Sequence, residues 1–209
     1  YYWDNVFFGG SNNSSNLNQI DLPVTFEDTA TDYSLTDFAG AVSVLETDPT
    51  GGTNTVAKTN KTSGSQTFAG TTMGPPSGTG FANPIPFAAN STKMKVRVYA
   101  PAVGIPVRLK VEDSNDPAIS VETEDTTTIA NAWETLEFDF SNEAPGTAAI
   151  NLANTYDKAS IFFYFGTDGA GIGADSVYYW DDVEFGGVSG FENFSDNQIR
   201  LYPNPTNSQ

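Results

Sequence analysis

Short runs of alternating apolar and polar residues recur along most of the chain. In residues 94–99, for example, Met94, Val96 and Val98 alternate with Lys95 and Arg97. A period of two places successive side chains on opposite faces of a strand, so each run predicts a strand with one face on a core. Similar runs occupy residues 20–26, 42–44 with Val56, 107–112, 119–122, 135–140, 161–165 and 183–185. Nine or more such strands predict an all-β fold, an antiparallel β-sandwich of jelly-roll type. The Gly- and Pro-rich residues 70–90 are expected to form a long loop.

One ten-residue motif occurs twice. Residues 1–10 read Tyr-Tyr-Trp-Asp-Asn-Val-Phe-Phe-Gly-Gly, and residues 178–187 match them at eight of the ten positions. Because the second copy ends the last predicted strand, we interpret residues 1–10 as the last strand of a preceding repeat copy. Residues 11–18 are then a Ser/Asn-rich linker, residues 19–187 one complete sandwich and residues 188–196 a second linker.

Composition narrows the chemistry open to this chain. Its 209 residues include no Cys and no His and carry a formal net charge of −17. Thiol chemistry, His-dependent nucleophilic triads and His-based zinc sites are therefore excluded. Nucleic acid is a poor partner for so acidic a surface, and no apolar run is long enough to predict membrane insertion. Catalysis would have to use carboxylates, and a metal site would have to use oxygen ligands, which favours calcium.

The alternation also predicts which side chains face away from the core. Five of the nine basic residues fall between Lys93 and Lys110, which predicts a local basic patch. Counting back from inward Val183 and Phe185 places Trp180 outward. Aromatic rings can stack on the C–H faces of sugars, and charged side chains can bind their hydroxyl groups. The predicted binding residues are Trp180, Tyr164, Arg108, Lys110, Arg97, Tyr99, Glu122, Asp182, Tyr178 and Phe162.

Simpler roles stay open for several of these side chains. Trp180 could be covered by a loop or by the other repeat copy. The basic stripe could pair across strands with Glu112, Glu122 and Glu124. Trp133, at the start of a predicted strand, is interpreted as a packing residue rather than a binding residue.

The two ends of the 19–187 unit resemble those of the calcium-containing β-sandwich carbohydrate-binding modules. Modules of that kind carry a Phe-Glu pair in the first strand and an aromatic-x-Asp-Asp/Asn-Val last strand. The corresponding residues here are Phe26-Glu27 and Tyr179-Trp180-Asp181-Asp182-Val183. The resemblance implies a structural calcium ion held by Glu27 and Asp181, with Asp48 as a further candidate ligand. The alternation places Asp181 on the inward side with Val183, where a carboxylate needs a partner.

The end of the chain carries a second resemblance. Leu201-Tyr202-Pro203-Asn204-Pro205 is similar to the opening of the C-terminal sorting domain of the type IX secretion system of Bacteroidetes. Residues 197–209 would then be the truncated start of such a domain. The resemblance implies a secreted or cell-surface protein, such as a marine Bacteroidetes-type polysaccharidase.

Together these features predict a non-catalytic carbohydrate-binding module that targets a covalently linked upstream enzyme to an algal polysaccharide. The basic patch suits a sulfated galactan such as carrageenan, whereas the exposed aromatics suit a neutral β-glucan such as laminarin equally well. One alternative is a structural or adhesive spacer repeat. The other is a glycoside hydrolase or lyase, which would use a carboxylate pair such as Glu122 and Glu124.

Overall fold

The computed structural model describes residues 17–187, which form twelve strands and one short helix. The first copy of the repeated motif, most of the first linker, the second linker and the sorting-like segment lie outside these residues. The elements are β1 Asn18–Gln19, β2 Thr31–Asp32, β3 Leu35–Phe38, β4 Ala41–Thr47, β5 Thr55–Lys61, β6 Gly70–Met73, β7 Lys93–Tyr99, β8 Pro106–Glu112, β9 Ser120–Thr126, β10 Trp133–Asp139, β11 Lys158–Phe163, α1 Gly169–Ile172 and β12 Ser176–Phe185. No helix among them is long and apolar enough to cross a bilayer.

Ten of the strands form two five-stranded antiparallel sheets. One sheet has the order β10-β7-β12-β5-β4 and is called the back sheet; the other has the order β3-β6-β11-β8-β9 and is called the groove sheet. β1 and β2 form a separate short parallel pair. The predicted antiparallel β-sandwich is confirmed.

The core lies between the two sheets and is built from the inward side of each alternating strand. Met94, Val96 and Val98 of β7 are fully buried, as the pattern predicts. Across the core, the Phe163 ring of β11 stacks on Tyr178 of β12 with 4.6 Å between ring centroids. Since each sheet buries one face here, only the two outer faces and the loops are left to bind a partner.

A β-bulge in β12 changes which side chains of the repeated motif reach the core. The pairing of β12 with β7 shifts between Asp181 and Glu184, and Asp182 has a φ of 47°. The extra residue reverses the alternation on its N-terminal side, so counting back from Val183 gives the wrong face beyond the bulge. The prediction that Trp180 and Tyr178 face outward is therefore wrong, and so is the inward placement of Asp181, which pairs with Arg97 on the outer face of the back sheet. The two aromatic side chains are fully buried, and Trp180 Nε1 donates a hydrogen bond to Thr59 Oγ1 at 2.9 Å.

The first predicted strand is also absent. Within residues 20–26, Val24 alone makes a β-bridge, to Val183, and Phe26 has a φ of 58°, which ends the extended backbone. The side chains of Ile20, Val24 and Phe26 are nevertheless buried in the core. Apolar alternation here reflects burial of an irregular segment rather than a strand.

Three further differences affect the surface. The 70–90 stretch is not wholly a loop, because Gly70–Met73 forms β6 between β3 and β11. Val42 and Val44 point outward from β4 and are 52% and 50% exposed, so they do not belong to the core. Tyr164 has a φ of 53°, which breaks the alternation after β11 and brings Phe165 against Phe162 instead of the core.

Candidate functional site

An open groove of about 510 Å³ lies on the outer face of the groove sheet. This volume falls within the range of pockets that bind small ligands. The groove is lined by side chains from β3, β6, β8, β9 and β11 and from the adjoining loops: Phe38, Phe68, Thr72, Lys110, Glu112, Pro117, Glu122, Ser160, Phe162 and Phe165. Three of the predicted binding residues, Phe162, Lys110 and Glu122, are among them.

Four phenylalanines give the groove an apolar floor and rim. The Phe162 ring makes edge contacts with Phe38 and Phe165, with centroids 5.5 and 5.6 Å apart. Phe68 stands at the rim with 47% of its surface exposed. A partly exposed ring at the edge of an apolar floor is suited to stacking on a ligand.

Gly70 makes room for this cluster. A Cβ atom at this position would lie 2.6 Å from Cδ1 of Phe162 and 2.8 Å from Cζ of Phe38. Any larger residue at position 70 would push the two rings apart. The close contact between these two phenylalanines therefore depends on the glycine between them.

The three charged residues that line the groove, Lys110, Glu112 and Glu122, are ion-paired. Arg108 donates to Glu122 at 2.7 Å and to Glu124 at 2.9 Å, and its guanidinium lies 3.5 Å from the centroid of the Phe165 ring. Glu112 lies between Lys110 and Lys158, and its contact with Lys158 is 2.6 Å.

These ion pairs fix the ionisation state of Glu112. Burial acts to raise its pKa, but hydrogen bonds from Lys110 and Lys158 outweigh that effect and hold the pKa below its ordinary value. Ser160 and Thr72, whose hydroxyls are 2.7 Å apart, add uncharged hydrogen-bonding groups to the groove.

The predicted basic patch does not exist as one surface. Lys93, Lys95 and Arg97 project from β7 on the outer face of the back sheet, whereas Arg108 and Lys110 belong to the groove sheet. The two strands are consecutive in sequence but lie in different sheets. The pairing across strands that we left open holds only for Arg108, which binds Glu122 and Glu124 of β9. Lys110 binds Glu112 of its own strand, and the three basic residues of β7 pair with other acids: Lys93 with Glu137, Lys95 with Glu184 and Arg97 with Asp48.

Arg97, Tyr99 and Asp182 therefore lie on the opposite side of the molecule from the groove. Arg97 donates to Asp182 and to Asp48, each at 3.1 Å, and its guanidinium lies 4.2 Å from the centroid of the Trp133 ring. Tyr99 packs edge-on against Trp133.

Of the other predicted residues, Tyr164 is half-buried against the core, and its carbonyl accepts a hydrogen bond from Lys61. Sequence reasoning missed Phe38, Phe68 and Phe165. Phe38 and Phe68 were not assigned to any alternating run, and Phe165 was assigned to the core. The sequence held one weak signal for Phe68. This residue lies in residues 66–70, outside every alternating run, so the pattern does not predict that it packs in the core.

The three predicted metal ligands fit a cation unequally. Asp181 is 1% exposed, its Oδ2 accepts from Asn54 at 2.8 Å, and its Oδ1 has no hydrogen-bond partner among the described residues. Burial raises the pKa of Asp181 to about 6, against the lowering effects of Asn54 and Arg97. Glu27 accepts from the backbone N–H of Thr55, the residue next to Asn54, at 2.6 Å.

Asp48 does not fit this set. Its Oδ1 accepts from Thr50 and from Nε1 of Trp133, and its Oδ2 accepts from Arg97. Residues 17–187 contain no cluster of three or more acidic residues placed to hold a metal. Asp181 and Glu27 would need backbone carbonyls or amide oxygens to complete the six to eight oxygen ligands that calcium takes.

A second recess, of about 430 Å³, is walled largely by Leu22, Pro23 and Phe185 together with other prolines. Its polar side chains include Asp21 and Asn83, which are hydrogen-bonded to each other at 2.6 Å. The groove combines the exposed ring of Phe68, the partly exposed rings of Phe38 and Phe165, hydroxyls and charges, and it is the stronger candidate site.

No protein-family model and no curated protein matches this chain. Among solved structures, it is similar to a family 11 carbohydrate-binding module from Clostridium thermocellum in complex with a β-1,3-1,4-mixed-linked tetrasaccharide. The TM-score is 0.50 at 14% identity, covering 78% of this chain and 92% of that one. It is also similar to part of an exo-β-agarase, with a TM-score of 0.55 at 11% identity, covering 79% of this chain and 24% of that one. The chain therefore has the β-sandwich fold found in carbohydrate-binding modules.

Proposed function

We propose that this protein is a non-catalytic carbohydrate-binding module and that it holds a polysaccharide chain in the groove. The observation that carries the proposal is the combination of exposed Phe68 with the Phe38, Phe162 and Phe165 rings on one open sheet face. Rings offer a surface for the C–H faces of sugars, and Ser160, Thr72 and the ion pairs offer partners for hydroxyl groups.

Of the two ligand classes that the sequence left open, the groove favours a neutral β-glucan. Arg108, Lys110 and Lys158 are each already bound to glutamates. A sulfate group would have to displace a carboxylate from one of them in a surface that is strongly acidic overall. A neutral glucan gains hydroxyl contacts with the same ion pairs and breaks none of them.

The same ion pairs argue against a hydrolase. Glycosidases need one carboxyl group that is protonated and a second that is ionised. Glu122 and Glu124 both bind Arg108, and the pKa of Glu112 is held low by two lysines. Glu112 is therefore held in its ionised form, and the carboxylates of Glu122 and Glu124 are both occupied by the guanidinium of Arg108.

Three further features belong to this proposal. Calcium would bind between Asp181 and Glu27 and would join the last strand to the start of the sandwich without touching the sugar. The module would be secreted by the type IX route through the sorting-like residues 197–209. It would also follow a preceding repeat copy, and the tandem copies would direct a linked enzyme to its substrate.

The test is affinity electrophoresis through gels containing laminarin, mixed-linkage β-glucan, carrageenan, agarose or alginate. We expect retardation by a neutral β-glucan. Phe68→Ala should lower the affinity for that glucan at least tenfold, which corresponds to a loss of about 1.4 kcal/mol in binding free energy. Leu152→Ala is the matched control. It removes a side chain that is 45% exposed, close to the 47% of Phe68, from the β10–β11 connection outside the groove.

Each outcome decides between functions. Wild-type retardation that Phe68→Ala leaves unchanged would move the site away from the groove. Retardation only by carrageenan, with affinity falling steeply as salt rises, would reverse the choice of a neutral ligand. An absence of retardation in every gel would favour the spacer function.

A further inference from the structure

The outer face of the back sheet carries a line of aromatic side chains that the groove does not use. Trp133 of β10 pairs directly with Tyr99 of β7, and Tyr99 pairs directly with Tyr179 of β12. The ring centroids are 5.7 and 5.8 Å apart along this line. We call these three residues the aromatic row. All three are partly exposed.

The aromatic row continues across the rest of the sheet. Tyr179 pairs with Lys58 of β5, and Lys58 pairs with Val44 of β4, which is 50% exposed. One line of directly paired residues thus crosses all five strands. Its three rings occupy neighbouring strands, so the distance between adjacent strands sets their spacing.

The charged groups around the aromatic row are ion-paired with one another. Arg97 binds Asp48 and Asp182 and lies over the Trp133 ring, and Trp133 Nε1 donates to Asp48 at 3.1 Å. Lys58 is paired with Glu46 at 3.2 Å. The Trp133 ring is therefore held by Arg97 over one face and by Asp48 at its Nε1, and the surface offers no unpaired charge from these groups to an ionic ligand.

From this geometry we infer that the aromatic row is a second binding surface for a neutral glycan chain, on the face opposite the groove. The row is one residue wide and is bordered by ion pairs, which matches a ligand with apolar C–H faces edged by hydroxyls. A stable protein partner would need a broader apolar area with a depleted charge content at its centre. With two such surfaces, one module would hold two glycan chains.

The inference is tested by the fluorescence of Trp133. Of the two tryptophans in residues 17–187, Trp133 is partly exposed and Trp180 is fully buried. In a Trp3→Phe background, acrylamide should quench mainly Trp133. We expect laminarin or mixed-linkage β-glucan to reduce that quenching, and the reduction to disappear in Trp133→Phe and to weaken in Tyr179→Ala.

Phe68→Ala separates this surface from the groove. If the row binds glycan independently, protection of Trp133 persists in Phe68→Ala, even where groove binding has failed. Loss of protection in Phe68→Ala equal to that in Tyr179→Ala would overturn the inference. Protection that rises with protein concentration, or that exists before glucan is added, would also overturn it, because another copy or another part of the chain would then cover the row. Acrylamide quenching that neither laminarin nor mixed-linkage β-glucan changes would also overturn the inference.

Discussion

At the residue scale, backbone conformation at a few positions decides which aromatic side chains meet solvent. Asp182 and Tyr164 have φ values of 47° and 53°, in the left-handed region that non-glycine residues seldom adopt. The first reverses the orientation of Trp180, and the second moves Phe165 from the core to the groove. Neither effect changes the hydrophobic pattern itself.

Lys61 gives a prediction about the pH dependence of stability. Its side chain is 1% exposed and donates to the carbonyls of Phe163 and Tyr164. Burial lowers its pKa from 10.5 to about 8, against an opposing effect of Asp168. Below pH 8 the folded state bears the full cost of a buried charge. Between pH 8 and 10.5 the unfolded state binds more protons, so this group's contribution to stability rises with pH.

The measurement is urea unfolding of the wild type and Lys61→Met from pH 7 to 10.5. The free energy of unfolding of the wild type should increase relative to that of Lys61→Met as the pH rises, by up to about a few kcal/mol. The other titrating groups are common to both proteins and cancel in the difference. A difference that stays constant with pH would show that Lys61 is not desolvated as described.

At the element scale, the groove depends on which strands become neighbours. β8 lies between β11 and β9, so Arg108 faces Phe162 on one side and Glu124 on the other. β6 lies beside β11, which places Gly70 under the ring of Phe162. The alternation within β8 predicted that Arg108 and Lys110 face outward, but it could not predict the neighbouring strands.

Gly70→Ala tests the role of β6. The added Cβ would meet the Phe162 and Phe38 rings and lie 3.0 Å from the Ile161 carbonyl. We expect a loss of about 1–3 kcal/mol in the free energy of unfolding and weaker glycan retardation, because both rings must move. Gly64→Ala is the control, since its Cβ would meet no atom within 4 Å. Equal effects of the two substitutions on thermal unfolding would contradict this account of Gly70.

At the scale of the whole molecule, the sandwich separates the two proposed sugar-binding surfaces by face. The groove and the aromatic row lie on opposite outer faces. The Asp181 and Glu27 region joins the last strand to the segment that enters the sandwich. A cation there would stabilise the closure of the fold, and it would lie beside the aromatic row, since Arg97 contacts both the Trp133 ring and Asp181.

Calcium removal is the corresponding measurement. If Asp181 and Glu27 hold calcium, EGTA should lower the melting temperature, because an ion at a concentration of about 100 times its Kd adds about 2.7 kcal/mol of stability. Asp181→Asn should abolish the shift, whereas Glu143→Gln, an exposed carboxylate elsewhere, should keep it. A wild-type melting temperature that EGTA leaves unmoved would exclude the calcium site.

The sequence by itself determined the fold class, because period-two alternation and the scarcity of helical patterns leave few other ways to bury these apolar residues. It also identified Phe162, Arg108, Lys110 and Glu122 as outward-facing residues, since each lies within a regular strand. It excluded His- and Cys-based chemistry by composition alone.

Only the tertiary structure decided where these residues meet. β7 and β8 are consecutive in sequence but belong to different sheets, which divides the predicted basic patch between two faces. The β12 bulge and the Tyr164 backbone change the face of single side chains, and no period of the sequence encodes a local left-handed residue. Pairing between distant strands is settled by packing energy over the whole core. The sites on the two sheet faces could therefore be assembled only from the folded molecule.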